Sequence, residues 1–238
     1  MPHLHRFYVE PGEALEGEVA LSESEAHHGL HVVRLREGEA VALFDGAGRE
    51  AMGVVSRVDK RALRVAVEEV REHARPVGGL TLYQAWLNQE KSLEAVIRRG
   101  TELGVSSFCF FRGAHSERKP RGAKKWERIA IESCKQCGRV WLPRFGEAAD
   151  LSSAVAGAEG VKLIATRERA PVVLREVLEG VSRASCFVGP EGDFSAEEVE
   201  ESLGAGARPI SLGANTLRSD VAAATASVLV LYELGLLA

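Results

Sequence analysis

Val188-Gly189-Pro190-Glu191-Gly192-Asp193-Phe194 and Leu212-Gly213-Ala214-Asn215-Thr216-Leu217-Arg218 are two glycine-bearing turns, each following a short apolar run. Ala184-Ser185-Cys186-Phe187-Val188 reads as a buried strand that ends in the first turn. Ser195-Ala196-Glu197-Glu198 has capping-box spacing and opens a helix that stops near Gly204 to Gly206. Pro209-Ile210-Ser211-Leu212 is a second short strand, after which Ser219 or Asp220 is expected to cap a final helix. Two strand ends thus bring glycine-rich backbone to one edge of a parallel sheet, where α/β folds bind ligands. The expectation is a cofactor site made of loop backbone.

The same grammar extends upstream. Leu80 to Trp86, Ser107 to Phe111 and Lys162 to Ala165 read as strands, alternating with helices over Ser92 to Leu103, Ala123 to Gly138 and Pro171 to Glu179. Continuously apolar strands alternating with helices predict a mainly parallel sheet covered on both faces. The last helix, Val221 to Leu234, is small and apolar nearly all round, so it needs burial on several sides, by its own sheet or by a second subunit.

Before residue 72 the period is two. Ala40 to Phe44, Ala51 to Val58 and Ala62 to Val67 are strands joined by the turns Asp45-Gly46-Ala47-Gly48 and Asp59-Lys60-Arg61, with shorter strands at Arg6 to Val9 and Gly17 to Leu21. Short strands at this spacing predict a small β-barrel. The charged stretch from Glu68 to Pro76, followed by Val77-Gly78-Gly79, reads as a linker. The expected division is 1-72 and 73-238.

With 238 residues, 45% hydrophobic, the chain has ample material for these cores. No run approaches the roughly 18 apolar residues of a membrane span, and Met1-Pro2-His3-Leu4-His5-Arg6 lacks the core of a signal peptide, so a cytoplasmic location is expected. Cys134 and Cys137 form a C-x-x-C without a second pair, and His27, His28 and His31 lack a completing carboxylate or cysteine, so no metal is expected. The formal net charge of -4 does not advertise nucleic-acid binding as a whole, and its distribution is the more informative feature. Between Arg112 and Arg128 lie Arg112, Arg118, Lys119, Arg121, Lys124, Lys125 and Arg128 against only Glu117 and Glu127. That run is either a solvated loop or a phosphate-contacting patch. Arg6, Tyr8 and Arg34 are candidates for a weakly basic, aromatic-bearing RNA face on the N-terminal module.

The turns match none of the common nucleotide fingerprints. No G-x-G-x-x-G follows a strand with an acid about twenty residues on, and no G-x-x-x-x-G-K-[ST] or G-x-S-x-G occurs. The succession Glu102-Leu103-Gly104-Val105, Ser116-Glu117-Arg118, Trp126-Glu127-Arg128-Ile129 with Gln136 and Arg139, Gly189 to Ser195, and Leu212-Gly213 with Leu217-Arg218 resembles the RsmE family. That family consists of 16S ribosomal RNA uridine-N3 methyltransferases of the SPOUT superfamily. His31-Val32-Val33-Arg34-Leu35 and Leu43-Phe44-Asp45-Gly46 are similar to its PUA-like RNA-binding domain.

The resemblance implies an α/β C-terminal domain tied into a trefoil knot, S-adenosylmethionine as cofactor, a homodimer, and 16S rRNA or the small ribosomal subunit as partner. It places cofactor contacts at Leu163, Ala165 and Thr166, at Gly189, Pro190, Glu191 and Gly192, and at Leu212, Gly213, Asn215, Thr216 and Leu217. For the chemistry, Arg218 is expected to stabilise the anion developing on a uracil oxygen, the alternative being a structural salt bridge with Asp220 or Glu191, and Glu191 or Asp220 is the candidate base. The basic run, Arg112, Arg118, Lys119, Arg121, Lys124 and Arg128, becomes a set of phosphate contacts. The chain departs from the family at Asn215-Thr216, where arginine and isoleucine are usual, at Ser219-Asp220-Val221, where threonine, glutamate and threonine are usual, and at Asp193, where glycine is commoner. The alternative reading is a non-catalytic RNA-binding or ribosome-assembly factor that retains the knotted fold.

Overall fold

The computed structural model describes residues 4–117, 119–120, 122–167 and 169–237. They form two compact units, one of residues 1–75 with 131–142, the other of 76–130 with 143–238. That the stretch 131–142 joins the first unit had no signal in local sequence.

In the first unit, β1 (His5–Tyr8), β2 (Glu18–Ala20), β3 (Ala40–Phe44), β4 (Arg49–Val58) and β5 (Leu63–Glu72) make a sheet of order β1-β3-β4-β5-β2. All pairs are antiparallel except β1 with β3. Inward residues of all five strands, among them Phe7, Val19, Leu43, Val55 and Val65, share one apolar cluster, so the sheet wraps around its core. The expected barrel is not closed by hydrogen bonds among the described residues: β1 and the three-residue β2 remain the two edges. Ser22 caps α1 (Glu23–His27) by accepting the Glu25 N–H, and a π-helical turn follows at His28–Val33. Gly53 sits at a register shift where a Cβ would lie 2.3 Å from the Ala66 carbonyl oxygen, so only glycine lets β4 and β5 pair there.

In the second unit, β6 (Gly79–Ala85), β7 (Ser107–Arg112), β8 (Arg144–Asp150), β9 (Val161–Ala165), β10 (Arg183–Val188) and β11 (Arg208–Ile210) form a sheet of order β11-β9-β10-β6-β7-β8. Every pairing is parallel. The inner strands are buried on both faces, which explains their unbroken apolar character. One face carries α4 (Leu151–Ala156) and α6 (Ala196–Gly204), whose Leu151, Val155 and Val199 pack with Tyr83, Phe111 and Phe187. α7 (Ser219–Glu233) packs on β6 and β10 and against α2 (Glu90–Leu103). The remaining helices are α3 (Ala123–Cys137), whose residues from Ile131 on belong to the first unit, and the short α5 (Leu174–Leu178), which occupies only the second half of the stretch expected to be helical.

β8 and α4 were not anticipated. β8 is an edge strand with most side chains exposed, so it carries neither a continuous apolar run nor a clean alternation. The start of α7 also differs from expectation. Neither Ser219 nor Asp220 caps it; Arg218 holds the cap position without a side-chain bond, and the Ser219 hydroxyl donates instead to the Gly189 carbonyl.

Candidate functional site

Because β11, β9 and β10 are parallel neighbours, the loops leaving their C-terminal ends emerge together. They line one cleft, a cavity of about 110 Å³ that opens to solvent at its mouth. The lining contains Ala165, Thr166, Gly189, Pro190, Glu191, Leu212, Gly213, Asn215, Thr216 and Leu217, together with Arg167, Val188, Asp193, Ser219 and Ala222. The strand order thus gathers most of the residues expected around the cofactor. Two stand apart. Leu163 is fully buried within β9, and Gly192 faces His115, whose Cβ would lie 2.9 Å from an added side chain.

The walls are apolar side chains and bare backbone. Gly213 has φ +114°, a conformation that L side chains rarely adopt. Asp193 is left-handed at φ +62°, and its Oδ1 accepts the Phe194 N–H at 2.8 Å. The positive φ gives a physical reason for the glycine that the resemblance leads one to expect there, and the local bond shows how aspartate is accommodated.

Neighbouring loops hold the two turns in place. Asn88 N donates to both Glu191 carboxylate oxygens, at 3.1 and 3.2 Å. His115 Nδ1 lies 3.0 Å from the Asp193 carbonyl oxygen, and Arg167 donates to Thr216 Oγ1 and, at 3.4 Å, to the Ala214 carbonyl. Gln84, fully buried in β6, reaches the Val188 and Gly189 carbonyls and Ser219 Oγ. Gln84, Asn88 and Arg167 were not foreseen. The available signal for Gln84 was a lone amide inside an apolar strand.

Arg218 is 76% exposed, with Nε 3.6 Å from Asp220 Oδ1. Asp220 is nearly buried, and its Oδ2 accepts from Arg99 Nη1 of α2 at 2.9 Å. Two arginines therefore converge on one carboxylate beside the cleft.

The basic residues divide into different kinds. Arg112, Lys124 and Arg128 are exposed, while Arg118 and Arg121 lie outside the described residues. Lys119 is exposed, paired with Glu147 at 3.2 Å, its ammonium 5.8 Å from the Trp86 ring centroid. Lys125 bonds Glu90 and Glu94 at 2.8 and 2.7 Å, and these bonds raise its pKa. In the first unit Arg34 is exposed and left-handed at φ +64°. The expected RNA face loses two members. Arg6 is mostly buried, donates to Glu50 and lies over the Phe44 ring at 5.1 Å; Tyr8 is buried against Phe44 and Cys134. Both point away from the Phe7 core by strand alternation, but residues 131–142 cover that second face. The Cys134 thiol is buried there, its pKa pushed up by its hydrogen bond with Cys137 and by desolvation. No three metal-ligating side chains cluster among the described residues.

Residues 73–231 match the model of the RNA methyltransferase domain, and residues 21–68 that of the RNA methyltransferase PUA domain. The chain is 30% identical over 229 residues to ribosomal RNA small subunit methyltransferase E of Synechocystis, covering 90% of this chain and 73% of that protein. It is 29% identical to the Aquifex aeolicus protein of the same name, covering 92% and 95%. Among solved structures, a Legionella pneumophila protein in complex with the bound cofactor SAM superposes with a TM-score of 0.87 at 30% identity, covering 96% of this chain and 97% of that one. With a family model spanning two thirds of its length and a relative 30% identical over 73% of that protein, the chain belongs to the ribosomal RNA small subunit methyltransferase E, or RsmE, family.

Proposed function

We propose that this protein transfers the methyl group of S-adenosylmethionine to N3 of a uridine in 16S ribosomal RNA, working in the cytoplasm as a homodimer with a trefoil-knotted second unit. The observation that carries the reading is the convergence of the loops after β9, β10 and β11 in one cleft with the composition such a cofactor needs. Ala165, Val188, Leu212, Leu217 and Ala222 supply apolar walls, and Thr166, Glu191, Asn215 and Thr216 supply polar groups. At Gly189 an added Cβ would meet the Asp193 and Phe194 backbone at 3.3 Å, a tight contact, and glycine leaves the main chain of the turn bare. When bound, the cofactor supplies an electrophilic methyl on a sulfonium.

The protein's own contribution is positioning and electrostatics. Arg218 stabilises negative charge developing on a uracil oxygen. Asp220, engaged by both Arg99 and Arg218, serves as the anchor of Arg218 rather than as a base. Glu191, held by the Asn88 N–H, is the carboxylate that remains at the cleft wall and is the candidate acceptor of the N3 proton. Arg112, Lys119, Lys124 and Arg128, with Arg118 and Arg121 of the same run, contact RNA phosphates, and Arg34 does so from the PUA domain.

The knot is supported by strand order: the chain leaves β9 for β10 on one side, passes to β11 on the other, then returns as α7 over β10 and β6. The dimer is supported by the outward face of α7, where Val221, Val228, Leu229 and Tyr232 are 38 to 64% exposed. Calorimetry with S-adenosylmethionine, followed by a labelled-methyl assay on small ribosomal subunits and mapping of the modified base, tests the reading. Transfer to a uridine N3 is expected. Binding without transfer would support the non-catalytic assembly factor instead.

A further inference from the structure

We infer that Gln84 is a positioning residue that sets the orientation of the Val188-Gly189-Pro190 peptide planes and thereby tunes cofactor affinity. This rests on the cleft being the S-adenosylmethionine site. Gln84 lies opposite Val188 in the β6–β10 ladder and is fully buried. Its Nε2 is 3.1 Å from the Ala85 carbonyl, 3.3 Å from Val188, 3.1 Å from Gly189 and 3.2 Å from Ser219 Oγ. Three of these neighbours are carbonyl oxygens, which only accept, so the amide nitrogen must face them. Its oxygen has no partner among the described residues. A buried amide that leaves its own oxygen unmatched to bind successive carbonyls of a glycine turn is organised around that turn.

The physical need lies in Gly189. Glycine rotates its peptide planes with little steric penalty, and Pro190 contributes no N–H that could fix the turn from the other side. A site that reads main chain depends on which plane edge it meets, because a peptide flip exchanges an acceptor for a donor. In the trans Val188–Gly189 peptide the C=O and N–H point in opposite directions, so turning the Val188 carbonyl toward Gln84 directs the Gly189 N–H elsewhere, while the Gly189–Pro190 plane carries only its carbonyl, which Gln84 also holds. The Ser219 hydroxyl braces the same Gly189 oxygen, tying the turn to the start of α7. Both Val188 and Gly189 line the cleft, whereas Gln84 does not. It therefore acts through the turn and is not a catalytic residue.

The test compares wild type, Gln84→Leu and Gln84→Glu by calorimetry with S-adenosylmethionine, each confirmed folded by its melting curve. Gln84→Leu keeps the volume but leaves the carbonyls without their donor, and is expected to raise the cofactor Kd about tenfold or more with little change in affinity for the small ribosomal subunit. Gln84→Glu places a carboxylate against the carbonyl oxygens at about pH 8 and weakens binding at least as much. At about pH 6 the buried carboxyl holds a proton, its O–H donates to the turn, and the Kd returns several-fold toward wild type. A residue that merely stabilises the fold would lower the melting temperature without this pH-dependent recovery. Wild-type cofactor affinity in Gln84→Leu, or a Gln84→Glu to wild-type Kd ratio that does not move with pH, overturns the proposal alone. A wild-type chain that binds no S-adenosylmethionine overturns the cofactor reading and this inference with it.

Discussion

At the scale of single residues, the structure separates charges that hold the fold from charges left for chemistry. Arg218 is three-quarters exposed, and its contact with Asp220, at 3.6 Å, is looser than the 2.9 Å bond from Arg99. An exposed pair of that kind contributes little stability. Arg218→Ala is therefore expected to lower the methyl-transfer rate about a hundredfold, as loss of an oxyanion-type donor does, while leaving cofactor Kd and melting temperature nearly unchanged. Single-turnover transfer alongside calorimetry checks this. Lys135 is the opposite case. Its side chain is 4% exposed, and its ammonium bonds both Glu25 oxygens, at 3.1 and 3.0 Å, and Glu132 at 3.2 Å. Lys135→Met strands the buried Glu25 carboxylate and should cost about 3 to 5 kcal/mol in urea unfolding, most of it regained in the double variant with Glu25→Gln. The lysine's identity was plain in the sequence, but its partner lies 110 residues away.

At the scale of elements, α6 shows a local signal serving a distant loop. The Ser195 hydroxyl accepts the Glu198 N–H at 3.2 Å, and Glu198 Oε2 accepts the Ser195 N–H at 2.9 Å, completing the capping box visible in Ser-Ala-Glu-Glu. Glu198 Oε1 also accepts the Ala114 N–H at 2.8 Å, from the loop after β7. Ser195→Ala should lower stability by about 1 kcal/mol. Glu198→Ala should cost more than that, because two backbone donors lose their acceptor; thermal melts of the pair give the order, and equal losses would refute it. The cap was legible because it depends on residues three apart. β8 was not, because an exposed edge strand is defined by its neighbour β7 rather than by its own pattern.

At the scale of the molecule, α7 connects the cleft to the surface. Ser219 and Ala222 at its start line the cleft, Ala223, Ala226, Val230 and Leu231 are buried, and Val221, Val228, Leu229 and Tyr232 face outward. If that face is the dimer contact, Leu229→Glu with Tyr232→Glu should halve the mass in sedimentation velocity and weaken cofactor binding through the adjoining loops. A chain of unchanged mass would exclude this face as the contact.

Near-neighbour chemistry was enough to read much of the protein from its residue string. The parallel sheet follows from strands apolar on both faces, the start of α6 from its capping box, and the paired turns from their glycines. The RNA face built on Arg6 and Tyr8 failed because strand alternation tells which side a residue faces, not whether another segment covers that side; residues 131–142 cover it. Only the tertiary structure decided that Asp220 anchors two arginines, that Ser219 binds Gly189 rather than capping its helix, and that Gln84 joins β6 to a turn 105 residues on and to Ser219, 135 residues on. Turns and caps are set by atoms a few residues apart, whereas the partners of a buried polar group are chosen by whichever strands the sheet brings side by side.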